Sequence, residues 1–153
     1  MLHDLVDEKN DWKINEQTTT TRQAIPETEV ELIHKVIQRE ITYCLLSSNV
    51  QGRSVYNEFG GIDILVDDWS HFILIEIKTG FNIRAIIREA IGQLLEYQYS
   101  NRVKIEGKRN YLLIVSPAAA DNEAADYIKH LRKKYKVDLA YKQYVPGSFS
   151  FVI

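Results

Sequence analysis

Two apolar, β-branched runs constrain this chain more than anything else in it. Ile62-Asp63-Ile64-Leu65-Val66 and Phe72-Ile73-Leu74-Ile75-Glu76-Ile77-Lys78 are separated by the turn-rich Asp67-Asp68-Trp69-Ser70-His71. Runs of this kind around a polar turn read as two antiparallel strands. If Trp69 and Ser70 form a two-residue loop, partners sum to 139 in residue number, and Asp63 lies opposite Glu76. Their Cβ atoms are then roughly 5 Å apart. Side chains alternate along a strand, so Phe72, Leu74, Glu76 and Lys78 share one face while Ile73, Ile75 and Ile77 share the other, and Lys78 sits roughly 7 Å along from Glu76.

Carboxylates opposed across a hairpin repel each other unless positive charge lies between them. A divalent cation supplies that charge. Hard oxygen ligands at this spacing suit magnesium, which takes one or two carboxylates, keeps several waters and accepts phosphate oxygens. Lys78 is then placed to polarise a water that attacks phosphorus. A Glu-x-Lys tripeptide by itself is common in chains of this length and means little. Its placement gives it weight, because it ends a strand that is apolar on both faces, where charges are scarce unless they have a task.

With these residues in view, the chain resembles the PD-(D/E)XK phosphodiesterase superfamily. The likeness rests on Gly61-Ile62-Asp63-Ile64-Leu65-Val66, Ile75-Glu76-Ile77-Lys78-Thr79 and Ile91-Gly92-Gln93-Leu94-Leu95-Glu96-Tyr97, and spans about residues 28–116. That superfamily includes restriction endonucleases, archaeal-type Holliday-junction resolvases and repair exonucleases, built on a mixed sheet flanked by helices. The resemblance implies that Asp63 and Glu76 bind Mg2+, or Mn2+ in its place, with help from the Ile77 carbonyl, and that Lys78 activates water. The proline that names the motif is absent, and Ile62 precedes Asp63.

Residues 82–99 have helical periodicity, with Ile83, Ile86, Ile87, Ala90, Ile91, Leu94 and Leu95 in one stripe and Asn82 as N-cap. Glu89, Gln93 and Tyr97 share a flank of this helix. By the resemblance, Gln93 faces the active site or the nucleic-acid backbone, while Glu89 and Tyr97 read as solvated. Arg84 and Arg88 either touch phosphates, which positions a duplex without reading its sequence, or solubilise the helix.

Upstream, residues 28–47 read as the first helix, with Val30, Ile33, Ile37, Ile41, Cys44 and Leu45 facing the sheet. The resembled family often adds a helix glutamate to the metal site. Glu31 fits a capping box with Thr28. Glu29 lies nearer the apolar stripe and is the preferred candidate, with Glu40 as a further one.

A chain of 153 residues with 45% hydrophobic content suits one domain with a single core. Residues 1–25, polar and acidic with Thr18-Thr19-Thr20-Thr21, read as an arm before a nuclease-like domain at 26–153. No apolar stretch approaches the roughly 20 residues that span a bilayer, and the start lacks the order of a signal peptide, so the expectation is a cytoplasmic protein without a membrane partner. A single cysteine, Cys44, excludes an internal disulfide and a cysteine metal cluster. His3, His34, His71 and His130 show neither metal-ligand spacing nor a partner arrangement for a nucleophile. Gly60-Gly61 is too short to cradle phosphates, which excludes a nucleotide-hydrolysing motor.

Net charge is −2, but its distribution is uneven: residues 1–77 carry 6 Lys and Arg against 14 Asp and Glu, and residues 78–142 carry 13 against 7. Lys104, Lys108, Arg109, Lys129, Arg132, Lys133, Lys134 and Lys136 are therefore expected either to form a basic face beside the acidic pocket or to solvate a helix. Further strands are expected at 53–59, 111–116, 137–144 and 149–153, and a helix at 121–135. The order is αβββαβαβ, a mixed central sheet flanked by helices, which by the resemblance is restriction-endonuclease-like.

The resulting expectation is a magnesium-dependent endonuclease that hydrolyses phosphodiester bonds, DNA before RNA, with two metals, or one metal plus Lys78, as the catalytic apparatus. By resemblance, cleavage leaves a 5′-phosphate and a 3′-hydroxyl. Two symmetric sites in a homodimer, or a place as a subunit of a larger complex, fit the cutting of both strands. The competing expectation is a catalytically weak nuclease-fold binding subunit of a nucleic-acid-processing or defence complex.

Overall fold

The computed structural model describes residues 27–150. The expected arm at 1–25 and residues 151–153 of the expected last strand lie outside the described residues. The elements run α1 Glu27–Ser47, β1 Ser54–Phe59, β2 Ile62–Asp67, β3 His71–Ile77, α2 Ile83–Ser100, β4 Arg109–Ser116, α3 Asn122–Tyr135 and β5 Leu139–Gln143. This is the expected αβββαβαβ order.

One five-stranded sheet carries the strands in the order β1-β2-β3-β4-β5. Short turns make β1, β2 and β3 antiparallel neighbours, whereas β4 and β5 pair parallel to β3 and to each other across helical crossovers. The β2–β3 register has Ile64 opposite Ile75, Leu65 opposite Leu74 and Val66 opposite Ile73, as the hairpin reading requires. Asp68 N donates to His71 O at 3.0 Å and closes the loop over Trp69 and Ser70. Between β1 and β2, Gly60 and Gly61 hold φ of 59° and 92°, the paired positive values that a tight hairpin loop needs. A Cβ on Gly61 would also stand 2.8 Å from the Tyr97 ring.

Strand alternation divides the core into two layers. Leu65, Phe72, Leu74, Leu112 and Ile114 meet Ile86, Ile87, Ala90 and Leu94 of α2 and Ala124 and Ile128 of α3. On the other face Ile64, Val66, Ile73, Ile75, Ile77 and Val115 meet Ile37, Ile41 and Leu45 of α1, with Tyr144 and Phe149 from the C-terminal segment. Each fully buried side chain of this kind contributes roughly 1.5–3 kcal/mol. The expected α1 stripe holds only from Ile37 onward, since Val30 and Ile33 are 37% and 40% exposed. Thr28 is itself helical, so it does not cap α1, and Glu31 instead binds Lys35 one turn on at 2.7 Å. Asn82 does cap α2, accepting from the Arg84 and Ala85 amides. No described helix is long and apolar enough to cross a membrane.

Candidate active and metal site

The site arises where the β2–β3 ladder stops. Paired residues run as far as Ile64 and Ile75, and one position further are Asp63 and Glu76. There the Ile77 amide donates to Asp63 Oδ2 at 2.7 Å, so a side chain takes a hydrogen bond that a continuing ladder would have taken. Beside this fork β1 is also irregular, with Glu58 at φ 55°. From α1, Gln38 Nε2 donates to the Asp63 carbonyl and to Glu58 Oε1, both at 2.8 Å, and pins the strand ends.

Asp63 and Glu76 are 9% and 3% exposed, and buried charges require partners. Asp63 Oδ2 lies 3.1 Å from His34 Nε2. Glu76 Oε1 lies 3.0 Å from Lys78 Nζ. Glu76 Oε2 is buried without a hydrogen-bond partner, as is Gln93 Oε1. The Gln93 amide nitrogen contacts the Tyr97 hydroxyl at 3.4 Å. These side chains, with Val30, Glu31, Gly61, Thr79 and Glu89, line one open cleft of about 570 Å³.

The electrostatics follow from that crowding. Burial first, then the Asp63 charge, push the Glu76 carboxyl up to about 7 against the opposing pull of Lys78 and His34. The Asp63 hydrogen bond raises His34 above the ordinary imidazole value, burial opposes it, and the charges of Asp63, Glu58 and Glu76 add to it. A buried carboxylate oxygen with nothing to bind, next to a second carboxylate, is a site that additional positive charge would stabilise. Hard oxygen donors of this kind fit magnesium or manganese. Among the described residues no group of three or more His, Cys, Asp and Glu is gathered as a metal-binding set, and the pair's near partners are His34 at Asp63 and Lys78 at Glu76.

The cleft unites Asp63, Glu76, Ile77, Lys78 and Gln93. It does not include Glu29, which is exposed. Glu31 and His34, three apart and hence on one helical face, form the α1 wall, and Glu29 precedes His34 by five residues and falls on another face. Glu40 is engaged elsewhere, accepting from the Tyr144 hydroxyl and, at 2.7 Å, from the Gly147 amide. Arg84 and Arg88 also miss the cleft. They line a separate depression between α2 and α3, where Arg84 pairs with Glu123. One residue is about 100° of helix, enough to turn Arg88 toward α3 while Glu89 faces the cleft. Glu89 and Tyr97, expected to be solvated, line the cleft beside Gln93.

His34 is the residue that sequence reasoning missed. Its signal was weak: it lacks metal-ligand spacing to other histidines, and only its place one turn after Glu31 puts it on the cleft side. The basic tract is also displaced from where it was expected. Arg109 pairs with His71, at the end of β3 remote from Glu76, and Lys129, Arg132, Lys133 and Lys136 gather around Arg109. Lys108 is spent on the hairpin turn, bound to Asp67 and to the Asp68 carbonyl.

No protein-family model matches this chain, and no curated protein matches it. Among solved structures it is similar to an XisH family protein from Nostoc punctiforme PCC 73102, with 15% identity over 71% of this chain and 91% of that one and a TM-score of 0.46. It is also similar to the small subunit of the heterodimeric restriction endonuclease R.BspD6I, with 15% identity, 76% and 72% coverage and a TM-score of 0.47. A third similar structure is an fdxN element excision controlling factor protein from Anabaena variabilis, with 17% identity, 71% and 91% coverage and a TM-score of 0.44.

Proposed function

We propose that this chain is a magnesium-dependent nuclease of the PD-(D/E)XK kind, an endonuclease that hydrolyses phosphodiester bonds, with DNA as the preferred substrate. The observation that carries the reading is Glu76 Oε2, buried and unpartnered beside Asp63 in a cleft that also holds a lysine. Asp63, Glu76 and the Ile77 carbonyl would hold Mg2+ or Mn2+. When bound, the cation supplies Lewis-acid charge beside a scissile phosphate.

The chain's own groups do the remaining work. Lys78 is held by Glu76 at 3.0 Å, so its ammonium is aimed before substrate arrives and loses little freedom on meeting an attacking water or a phosphoryl oxygen. Gln93, with its buried and unsatisfied Oε1, orients water or substrate from the α2 wall. His34 holds the Asp63 carboxylate in position from α1. Cleavage would leave a 5′-phosphate and a 3′-hydroxyl.

The test is digestion of duplex DNA, single-stranded DNA, branched DNA and RNA by the purified protein with magnesium and with chelator, alongside Asp63→Ala and Lys78→Ala. Magnesium-dependent cleavage lost in both variants is the expected result, and undiminished cleavage by both removes the proposal. One observation favours a second reading, a catalytically weak nuclease-fold subunit that binds nucleic acid within a larger complex. The chain's own groups already occupy part of the pair, since Asp63 Oδ2 is bound by His34 and the Ile77 amide and Glu76 Oε1 by Lys78. That reading expects binding without cleavage of any substrate in the panel.

A further inference from the structure

The cleft is poorly suited to attract a polyanion by itself. Glu31, Asp63, Glu76 and Glu89 line it against Lys78 and His34, so a phosphate backbone approaching it meets excess negative charge. Affinity for nucleic acid comes mainly from cations that displace counterions from phosphates. These cations lie elsewhere on the molecule.

At the opposite end of the sheet, Arg109 at the start of β4 and Lys129, Arg132, Lys133 and Lys136 of the α3 C-terminal region line a concavity of about 460 Å³. The carboxylate lining it is Asp138, which both its oxygens bind to Arg109, at 2.7 and 2.8 Å. Among the described residues, Lys129, Arg132, Lys133 and Lys136 form no salt bridge. One or two cations near a helix C-terminus are explained by the helix dipole. Four without a salt bridge, beside an Arg109 held by Asp138, on one concave surface exceed that explanation. Lys129 and Arg132 or Lys133 recur at helical spacings of three and four along one side of α3, and Lys136, the left-handed C-cap just beyond Tyr135, joins them on the same lining about 10 Å along the axis from Lys129. A row of cations on that scale suits the repeating charges of a phosphate backbone, and the planar guanidinium of Arg132 suits a phosphate fork.

We propose that this basic concavity is a second nucleic-acid contact, which grips the phosphate backbone of a segment flanking the one presented to the cleft. The substrate half of this statement rests on the nuclease reading, whereas backbone binding does not. Glu76 lies five residues along β3 from His71, the partner of Arg109, so about 17 Å of sheet separates the two ends. That length of sheet corresponds to about five base pairs of duplex.

The experiment is a binding titration of the full chain with a duplex of about 30 base pairs in chelator, repeated across a range of salt, with polyglutamate as a parallel probe. Wild type is compared with the triple variant Lys129→Gln, Arg132→Gln, Lys133→Gln and with single Lys133→Glu. All three positions are exposed, and a thermal melt checks folding. We expect the triple variant to bind the duplex at least tenfold more weakly, with its log-log salt slope shallower by about one for each lost phosphate contact. Lys133→Glu should move the same way by a smaller amount. Equal affinities and slopes for wild type and both variants overturn the proposal, as does wild-type binding of polyglutamate in preference to duplex, or of neither. If wild type binds duplex with this dependence but cleaves nothing with magnesium, the concavity keeps its assignment and the reading of the cleft falls.

Discussion

The Ile77 amide donates to Oδ2 of Asp63 at 2.7 Å, across the point where two paired strands separate. One carboxylate thus ends a ladder and opens a cleft. With Oδ2 occupied by that bond and by His34, the Asp63 side chain is held in place, close enough for its charge to raise the Glu76 carboxyl. Preorganisation of this kind lets a site act without rearranging its own charges.

Asp63→Asn and Asp63→Ala should separate the structural task of this residue from its charge. Asparagine keeps an oxygen for the Ile77 amide, whereas alanine leaves a buried N–H unsatisfied at a cost of about 1–3 kcal/mol. Denaturant unfolding in chelator should therefore rank wild type and Asp63→Asn above Asp63→Ala. Adding magnesium at about 100 times its dissociation constant should stabilise wild type by about 2.7 kcal/mol and neither variant. The same gain in all three proteins would remove Asp63 from the metal site.

Lys78→Ala should fold and lose cleavage. Its ammonium bonds only Glu76 among the described residues, and without it the raised carboxyl can remain protonated rather than stand as a lone buried charge. Circular dichroism and a melting curve close to wild type, together with cleavage reduced at least a hundredfold, are the expected pair of results. Retained cleavage would assign the chemistry to another group.

Stability in chelator should fall as pH rises from about 4.5 to about 7, because unfolded Glu76 releases its proton near 4.5 and the folded residue holds it to about 7. The folded chain binds this proton more tightly inside that window, so the Glu76 contribution has a negative slope there and none outside it, with a total of a few kcal/mol. Glu76→Gln should abolish this part of the profile. Denaturation midpoints measured from pH 4 to 8 for both proteins check it, and parallel profiles would contradict the burial argument.

Glu40→Ala should destabilise the fold without touching the cleft. The carboxylate anchors the Tyr144 hydroxyl and the Gly147 amide onto α1, and Tyr144 is 5% exposed. Hydrogen bonds to a charged acceptor contribute about 1.5–3 kcal/mol when buried, so a loss of about 1–2 kcal/mol is reasonable at this half-exposed site. Magnesium stabilisation should be unchanged in this variant, whereas its loss would return Glu40 to the list of ligands.

Much of the site was legible because it is local. The hairpin register follows from loop length and strand alternation, both of which act within a few residues, and they bring Asp63, Glu76 and Lys78 together without reference to the rest of the chain. The Asn82 cap follows from its residue type at the start of the helical period, whereas Gln93 was singled out from Glu89 and Tyr97 on the same flank only by the family resemblance. The α1 wall was not legible. Glu29 and Glu31 differ by two residues, and choosing between them requires knowing how α1 is rotated against the sheet, which packing from Ile37 to Leu45 decides.

The sequence by itself determined the order of the elements, the hairpin and the trio of charged side chains it carries, since turn chemistry and hydrophobic period are short-range properties of the chain. Only the tertiary structure decided that His34 binds Asp63, that Arg84 turns to Glu123, and that the basic tract lies at the far end of the sheet from the acidic cleft. Those placements depend on the direction in which each helix returns along the sheet and on its rotation there, and they are set by contacts between residues remote in sequence.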